Sequence, residues 1–258
     1  MMVALAFTLA LGAQAPAAAP AAAPDLTAAK ALTALFNDPT TPAATFQAAL
    51  DTFVTQFPTS KLMLPALVLG VRYYRSRNDY GPLLHFGLEA LKAAPGDLYT
   101  LSSLATAIPN NVKDTDLDRD QMLDMAAGFD RQIISTVNGW LITTAGLDWG
   151  GRHYTEIQGN TLRANLAGPA YLSLGRIASL QQHYPAAVEA LRQALAYEHA
   201  PTAQAQVYFD IGVAEAAQAH KPEALAAFAR AQKLAPGSEM LQRLIRTEQD
   251  RLSAGGAQ

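Results

Sequence analysis

One apolar signature recurs four times along the chain: Leu67, Gly70, Val71, Tyr74; Leu101, Leu104, Ala105, Ile108; Tyr171, Leu174, Gly175, Ala178; and Tyr208, Ile211, Gly212, Glu215. Each set has the offsets 0, 3, 4 and 7, the spacing that lines one face of an α-helix. The second copy starts 34 residues after the first (67 to 101) and the fourth 37 after the third (171 to 208). A helix face repeated at this period predicts stacked helical units, none of which buries its apolar side alone. Such an array points away from catalysis and toward a surface that holds something.

Each signature helix is followed by a second apolar stripe. After Tyr171–Gln182 comes Tyr184-Pro185, and a proline at a first helical position is favourable because its missing N–H is not needed there. Ala187, Leu191 and Ala194 then share one face, as do Ala224, Phe228 and Ala231 after His220-Lys221-Pro222. The latter stripe stops at Leu234-Ala235-Pro236-Gly237, a proline–glycine terminator. Leu83, Gly87 and Ala90 follow Asn78-Asp79-Tyr80-Gly81-Pro82 and end at Ala94-Pro95-Gly96.

These residues carry a resemblance. Residues 205–238 resemble a tetratricopeptide repeat across its 34 positions: Tyr208, then Ile211 and Gly212, then Ala224, Phe228, Ala231 and Pro236 stand where that repeat places aromatic, apolar, small and proline residues. Small residues sit where two antiparallel helices cross, large ones fill the neighbouring hole, and proline ends the second helix. Residues 168–201 are similar at Tyr171, Leu174, Gly175, Tyr184, Ala187, Leu191 and Ala194 but lack the final proline. Residues 64–97 are similar at Leu67, Tyr74, Tyr80, Ala90 and Pro95, with Leu83 and Gly87 departing. The resemblance implies an all-α fold of antiparallel helix hairpins stacked into a right-handed superhelix, an α-solenoid.

The remaining segments fit the period less closely. Residues 98–137 read as a divergent repeat whose first helix, Leu98–Ile108, is broken by Pro109-Asn110-Asn111. Its second helix runs from about Asp118 to Val137 with Met122, Ala126, Phe129 and Ile133 on one face. Residues 27–58 read as a degenerate leading repeat with Phe46, Leu50 and Phe53 in its second helix. Residues 239–252 predict a polar amphipathic helix that caps the open end of the stack. Residues 138–167 form an insertion rich in glycine that holds both tryptophans, Trp140 and Trp149. The ordinary expectation is that such large aromatics extend the core; the alternative is a functional loop with an exposed Trp149. Residues 25–258 are thus expected to form a single repeat domain.

The N-terminus carries a location signal. Met1 to Ala13 is almost wholly apolar, and Ala13-Gln14-Ala15 is a small-x-small cleavage pattern. No Lys or Arg precedes the run. It falls short of the about 20 apolar residues of a membrane span, so it reads as a signal segment, 1–15, with no span left after its removal. Residues 16–24, PAAAPAAAP, read as an extended spacer. The chain has no cysteine, which removes disulfides, thiolate metal sites, a thiol nucleophile and a lipoprotein anchor. A periplasmic or secreted location is expected.

Little in the sequence suggests chemistry. Asp114, Asp116 and Asp118 alternate as in the opening of a calcium loop, but Arg119 and Met125 stand where that loop requires Gly and Glu. Asp116 or Asp118 is better read as the cap of the following helix. No pair among His85, His153, His183, His199 and His220 has the i, i+4 spacing of a helical metal site. Ser102, Ser173 and Ser179 lack a nucleophile-elbow motif. Gly150-Gly151-Arg152-His153 lacks the Lys-Ser/Thr ending of a phosphate loop. With a net charge of −3 and no basic run, nucleic acid is not an expected partner. No catalytic residue, metal or cofactor is assigned.

The functional surface follows from the resemblance. Tetratricopeptide stacks bind proteins or peptides in a concave groove lined by their first helices. The matching positions here are Val68, Arg72 and Arg75; Leu172, Arg176 and Ser179; and Phe209 and Val213. Arg72, Arg75 and Arg176 suit an acidic segment or a C-terminal carboxylate, and equally suit solvated helix faces. The lysine–asparagine arrangement of chaperone-tail clamps is absent. The expected function is a non-catalytic, protein-binding scaffold of the cell envelope. Two alternatives stand beside it: a subunit of an envelope assembly held by convex or terminal surfaces, and an enzyme or small-ligand protein built on the 138–167 insertion around Trp149, His153 and Glu156.

Overall fold

A computed structural model describes residues 23–198 and 200–254. The signal-like segment, nearly all of the 16–24 spacer and His199 lie outside the described residues. The chain divides into two compact units, Met1–Leu62 and Met63–Gln258.

In the first unit, α1 (Pro24–Asn37) and α2 (Ala43–Gln56) form a hairpin. Helix α1 starts at the last residue of the expected spacer, since proline fits a first helical turn. Phe46, Leu50 and Phe53 of α2 are buried with Leu32 of α1. At the turn, Asp38 Oδ1 accepts from the Thr40 amide at 2.8 Å and its hydroxyl at 2.7 Å, and these bonds hold the Asp38 carboxyl below its usual range. At the open end the Ser60 hydroxyl donates to Asp25 Oδ2 at 2.7 Å.

The second unit holds α3 (Met63–Ser76), α4 (Tyr80–Ala93), α5 (Leu98–Asn111), α6 (Arg119–Asn138), a two-stranded antiparallel hairpin of β1 (Leu147–Trp149) and β2 (Arg152–Tyr154), then α7 (Glu156–Leu180), α8 (Tyr184–Leu195), α9 (Pro201–Ala217), α10 (Lys221–Leu234) and α11 (Glu239–Ala254). Each helix packs on the next. Alternate helices also touch: α3 with α5, α5 with α7, α7 with α9, and α9 with α11. The result is a layer of first helices beside a layer of second helices, with α11 standing where another first helix would stand. No helix of the described residues is long and apolar enough to cross a membrane.

Small residues let the paired helices approach. A Cβ added at Gly175 of α7 would lie 2.5 Å from Leu191 Cγ of α8, and one at Gly212 of α9 would overlap the Phe228 ring of α10. Phe228, Leu191 and Ala231 are fully buried in return, and a large apolar side chain buried this way contributes about 1.5–3 kcal/mol. The signature residues of α3 and α5 are all buried. In α7 only Gly175 is fully buried, and Tyr171, Leu174 and Ala178 are half-buried.

Three hairpin turns share one conformation. Asn78, Gln182 and Ala219 all have left-handed backbone, at φ 53°, 61° and 61°, and each is the fifteenth residue of its repeat (64–97, 168–201, 205–238). The next amide reaches back to the helix: Asp79 N to Tyr74 O at 3.1 Å, His183 N to Ala178 O at 2.7 Å and His220 N to Glu215 O at 3.0 Å. This bond satisfies a carbonyl that the helix end leaves unpaired.

The structure corrects several details. Pro109 does not break α5, which continues to Asn111. It sits in the last turn, where its missing N–H costs the helix only the bond to the Ala105 carbonyl. Asp118 is the N-cap of α6, but its side chain makes no capping bond; Asp116 Oδ2 instead accepts from the Lys113 amide at 2.8 Å. Met122 and Phe129 are half-buried, and Leu123, Ala127, Asp130 and Val137 join Ala126 and Ile133 in the buried stripe. The 138–167 insertion resolves into the β1–β2 hairpin and the first three turns of α7. Thr155 caps that helix in a reciprocal box with Gln158, and Pro169 lies inside it. Both tryptophans join the core: their rings lie 5.1 Å apart against a cluster containing Leu98, Ile133, Val137, Ala167 and Ala170.

Candidate functional site

With Gly175 and Gly212 turned into the hairpin interiors, other faces of α7 and α9 look onto a cavity of about 880 Å³. Arg176 and Ser179 of α7 line it at helical spacing, as do Phe209, Val213 and Ala216 of α9. Pro109 and Asn110, at the end of α5, form one rim. Glu248, Arg251 and Leu252 of α11 form another. Tyr184 and Lys221 bring the first turns of α8 and α10 to the same space. All of these residues belong to the second unit.

Four of the residues expected at a groove therefore meet: Arg176, Ser179, Phe209 and Val213. The other four do not line this cavity. Leu172 packs toward Leu191, Val207 and Ile211. Val68 is half-buried on α3. Arg72 and Arg75 place their guanidinium groups 5.8 and 5.5 Å from the centre of the Tyr99 ring, and Arg75 Nη1 donates to Ser103 Oγ at 3.1 Å. An arginine over an aromatic face is held by the ring's quadrupole.

The cavity's charges are unequally paired. Arg176 Nε donates to Asp210 Oδ2 at 2.9 Å, and Gln206 donates to the other carboxylate oxygen at 2.9 Å. Arg176 is thus paired from within the chain, and an acidic segment reaching it would meet an existing ion pair. Arg251 stands 3.8 Å from Glu248, beyond hydrogen-bond length. Lys221 has no ion pair among the described residues. Three cations and two carboxylates among the lining residues leave one positive charge in excess.

The α11 wall is not among the positions expected from the sequence. Leu252 packs beside Phe209, Val213 and Ala216 against a cluster containing Phe228, Leu241 and Ile245. The signal was present: Leu241, Ile245 and Leu252 lie at offsets 0, 4 and 11, a single helix face.

A buried carboxyl stands on α6, the helix packed against α7 from the preceding hairpin. Asp130 of α6 is 1% exposed, and burial pushes its carboxyl up to about 8, against smaller opposing effects from the Ser173 hydroxyl and Arg131. Its Oδ2 has no hydrogen-bond partner among the described residues. Ser173 stands one turn before Arg176 on α7.

The insertion does not assemble a second site from Trp149, His153 and Glu156. Trp149 faces Trp140. His153 Nδ1 pairs with Asp148 Oδ1 at 2.8 Å on the exposed side of the β-hairpin, and Glu156 is exposed in the first turn of α7. Among the described residues no group of three or more His, Cys, Asp or Glu side chains is placed to hold a metal ion.

No family model matches the chain, and no curated protein matches it. Solved structures similar to the chain include two of helical proteins. The crystal structure of TTC0263, a thermophilic TPR protein in Thermus thermophilus, shares 17% identity, covering 87% of this chain and 98% of that one, with a TM-score of 0.48. The crystal structure of MamA protein shares 17% identity, covering 69% of this chain and 94% of that one, with a TM-score of 0.32. The packing itself carries the fold: with glycine of the first helix against leucine or phenylalanine of the second, a left-handed fifteenth residue and alternate helices in contact, this chain is an all-α protein of stacked helix-hairpin repeats.

Proposed function

We propose that this protein is a non-catalytic scaffold of the cell envelope that holds a segment of a partner protein in the α7–α9 cavity. The observation that carries the reading is the convergence of Arg176, Ser179, Phe209 and Val213, from two separate repeats, on one cavity of about 880 Å³. Cavities of this size, mostly apolar with a few placed polar groups, are ordinary binding sites. The signal-like segment 1–15 supports the envelope location.

Photo-cross-linking in cells tests this. A photoreactive residue at Val213 is expected to give a discrete cross-linked species, absent when it is placed at Glu223 on the exposed side of α10. Equal labelling from both positions, or none from Val213, would sink the reading. Met240 and Leu244 are exposed on α11 and favour a second reading, end-on assembly. That reading requires the dominant cross-link to arise at Met240.

A further inference from the structure

We infer that the segment received by this cavity presents an apolar face bearing one carboxylate, which is seated at the end formed by Lys221 and Arg251. The inference rests on the reading of the cavity as a protein-binding site and specifies the chemistry of its occupant. Phe209, Val213, Ala216, Leu180 and Leu252 supply apolar wall, which calls for apolar side chains on the segment.

Charge sets the remaining requirement. Arg176 is already satisfied by Asp210 at 2.9 Å, so an anion placed there would have to displace an existing ion pair. Lys221 is unpaired among the described residues, and Arg251 is held only by a 3.8 Å contact to Glu248. Lys221 is the first residue of α10 and Tyr184 the first of α8. Both helices therefore direct the positive ends of their dipoles toward the same region. A second carboxylate would meet Asp210 or Glu248 and be repelled, so one negative charge is the complement of this lining.

The test uses the full chain and three synthetic helical peptides of about 12 residues. They share one leucine–alanine face and differ only in a central Glu, Gln or Lys, and binding is read by fluorescence anisotropy. The Glu peptide is expected to bind about fivefold more tightly than the Gln peptide, and the preference to shrink at about 0.5 M salt. In the Lys221→Glu, Arg251→Glu double variant the order should reverse in favour of the Lys peptide. Circular dichroism checks that this variant, changed only at exposed positions, keeps its helix content. Equal binding of the Glu and Gln peptides, abolished by Phe209→Asp, would overturn the inference and leave the cavity reading intact. Binding by none of the three would overturn both.

Discussion

The Ser173 hydroxyl of α7 donates to the carbonyl of Ala105 in α5 at 3.2 Å, the oxygen that Pro109, four residues on, has no N–H to reach. The neighbouring repeat thus completes a helix that its own sequence leaves one bond short. Ser173→Ala leaves that carbonyl unpaired and should lower stability by about 1–2 kcal/mol. In a Pro109→Ala background the new amide can reach Ala105, and the same substitution should cost less than half as much. A double-mutant cycle by urea unfolding measures the difference. Equal costs in both backgrounds would refute the coupling.

Asp130 sets a pH dependence of unusual sign for a carboxylate. Its folded-state value, about 8, lies above the ordinary aspartate value of 3.8, so the folded protein holds a proton that the unfolded chain releases between those values. The contribution is fully present below about pH 4 and is lost progressively as pH rises to about 8. Asp130→Asn keeps the shape without the ionisable group. It should flatten the decline and stabilise the protein at pH 8 by on the order of a few kcal/mol. Parallel pH profiles of Tm for the two proteins would contradict this account.

Ala219 is the one residue of the three left-handed turns with neither glycine's freedom nor a polar side chain. A left-handed alanine costs about 1–2 kcal/mol, partly offset in a glycine variant by the greater entropy of the unfolded chain. Ala219→Gly should therefore stabilise by about 0.5–1 kcal/mol and raise Tm by a few degrees. An unchanged or lowered Tm would show that the turn is not strained.

Gly212 and Phe228 test the hairpin crossing. A methyl group at Gly212 overlaps the Phe228 ring, so Gly212→Ala should cost about 1–3 kcal/mol despite alanine's better helix propensity. Shrinking the opposing side chain with Phe228→Leu should recover part of that loss, so the double variant is more stable than the two single effects predict. Strict additivity by thermal unfolding would mean that the two residues do not limit each other.

The hairpins were legible because their cause is local. A small residue in one helix and a large one at a fixed distance in the next, as with Gly175 and Leu191, are both written in the period. The β-hairpin was not legible: Leu147–Trp149 and Arg152–Tyr154 are three residues each, too short for an alternating pattern to emerge. The helix expected over Tyr171–Gln182 instead begins behind the Thr155 cap, inside the expected insertion, and runs through Pro169. Of the candidate site, the walls from α7 and α9 followed from repeat position. The rims did not, because Asn110 ends the first helix of one repeat, Lys221 opens the second helix of another and Leu252 belongs to no repeat. Only tertiary packing brings them together.

Repeat arrays ordinarily lengthen without consequence, because a new hairpin added at the end simply extends the surface. Here α11, the last helix of the described residues, is itself a wall of the cavity. A hairpin inserted between Ser238 and Glu239 would carry Arg251 and Leu252 one repeat away from Arg176 and Ser179, opening the space they now share. The number of repeats after α7 is therefore not free to drift: for this chain, counting is part of recognition.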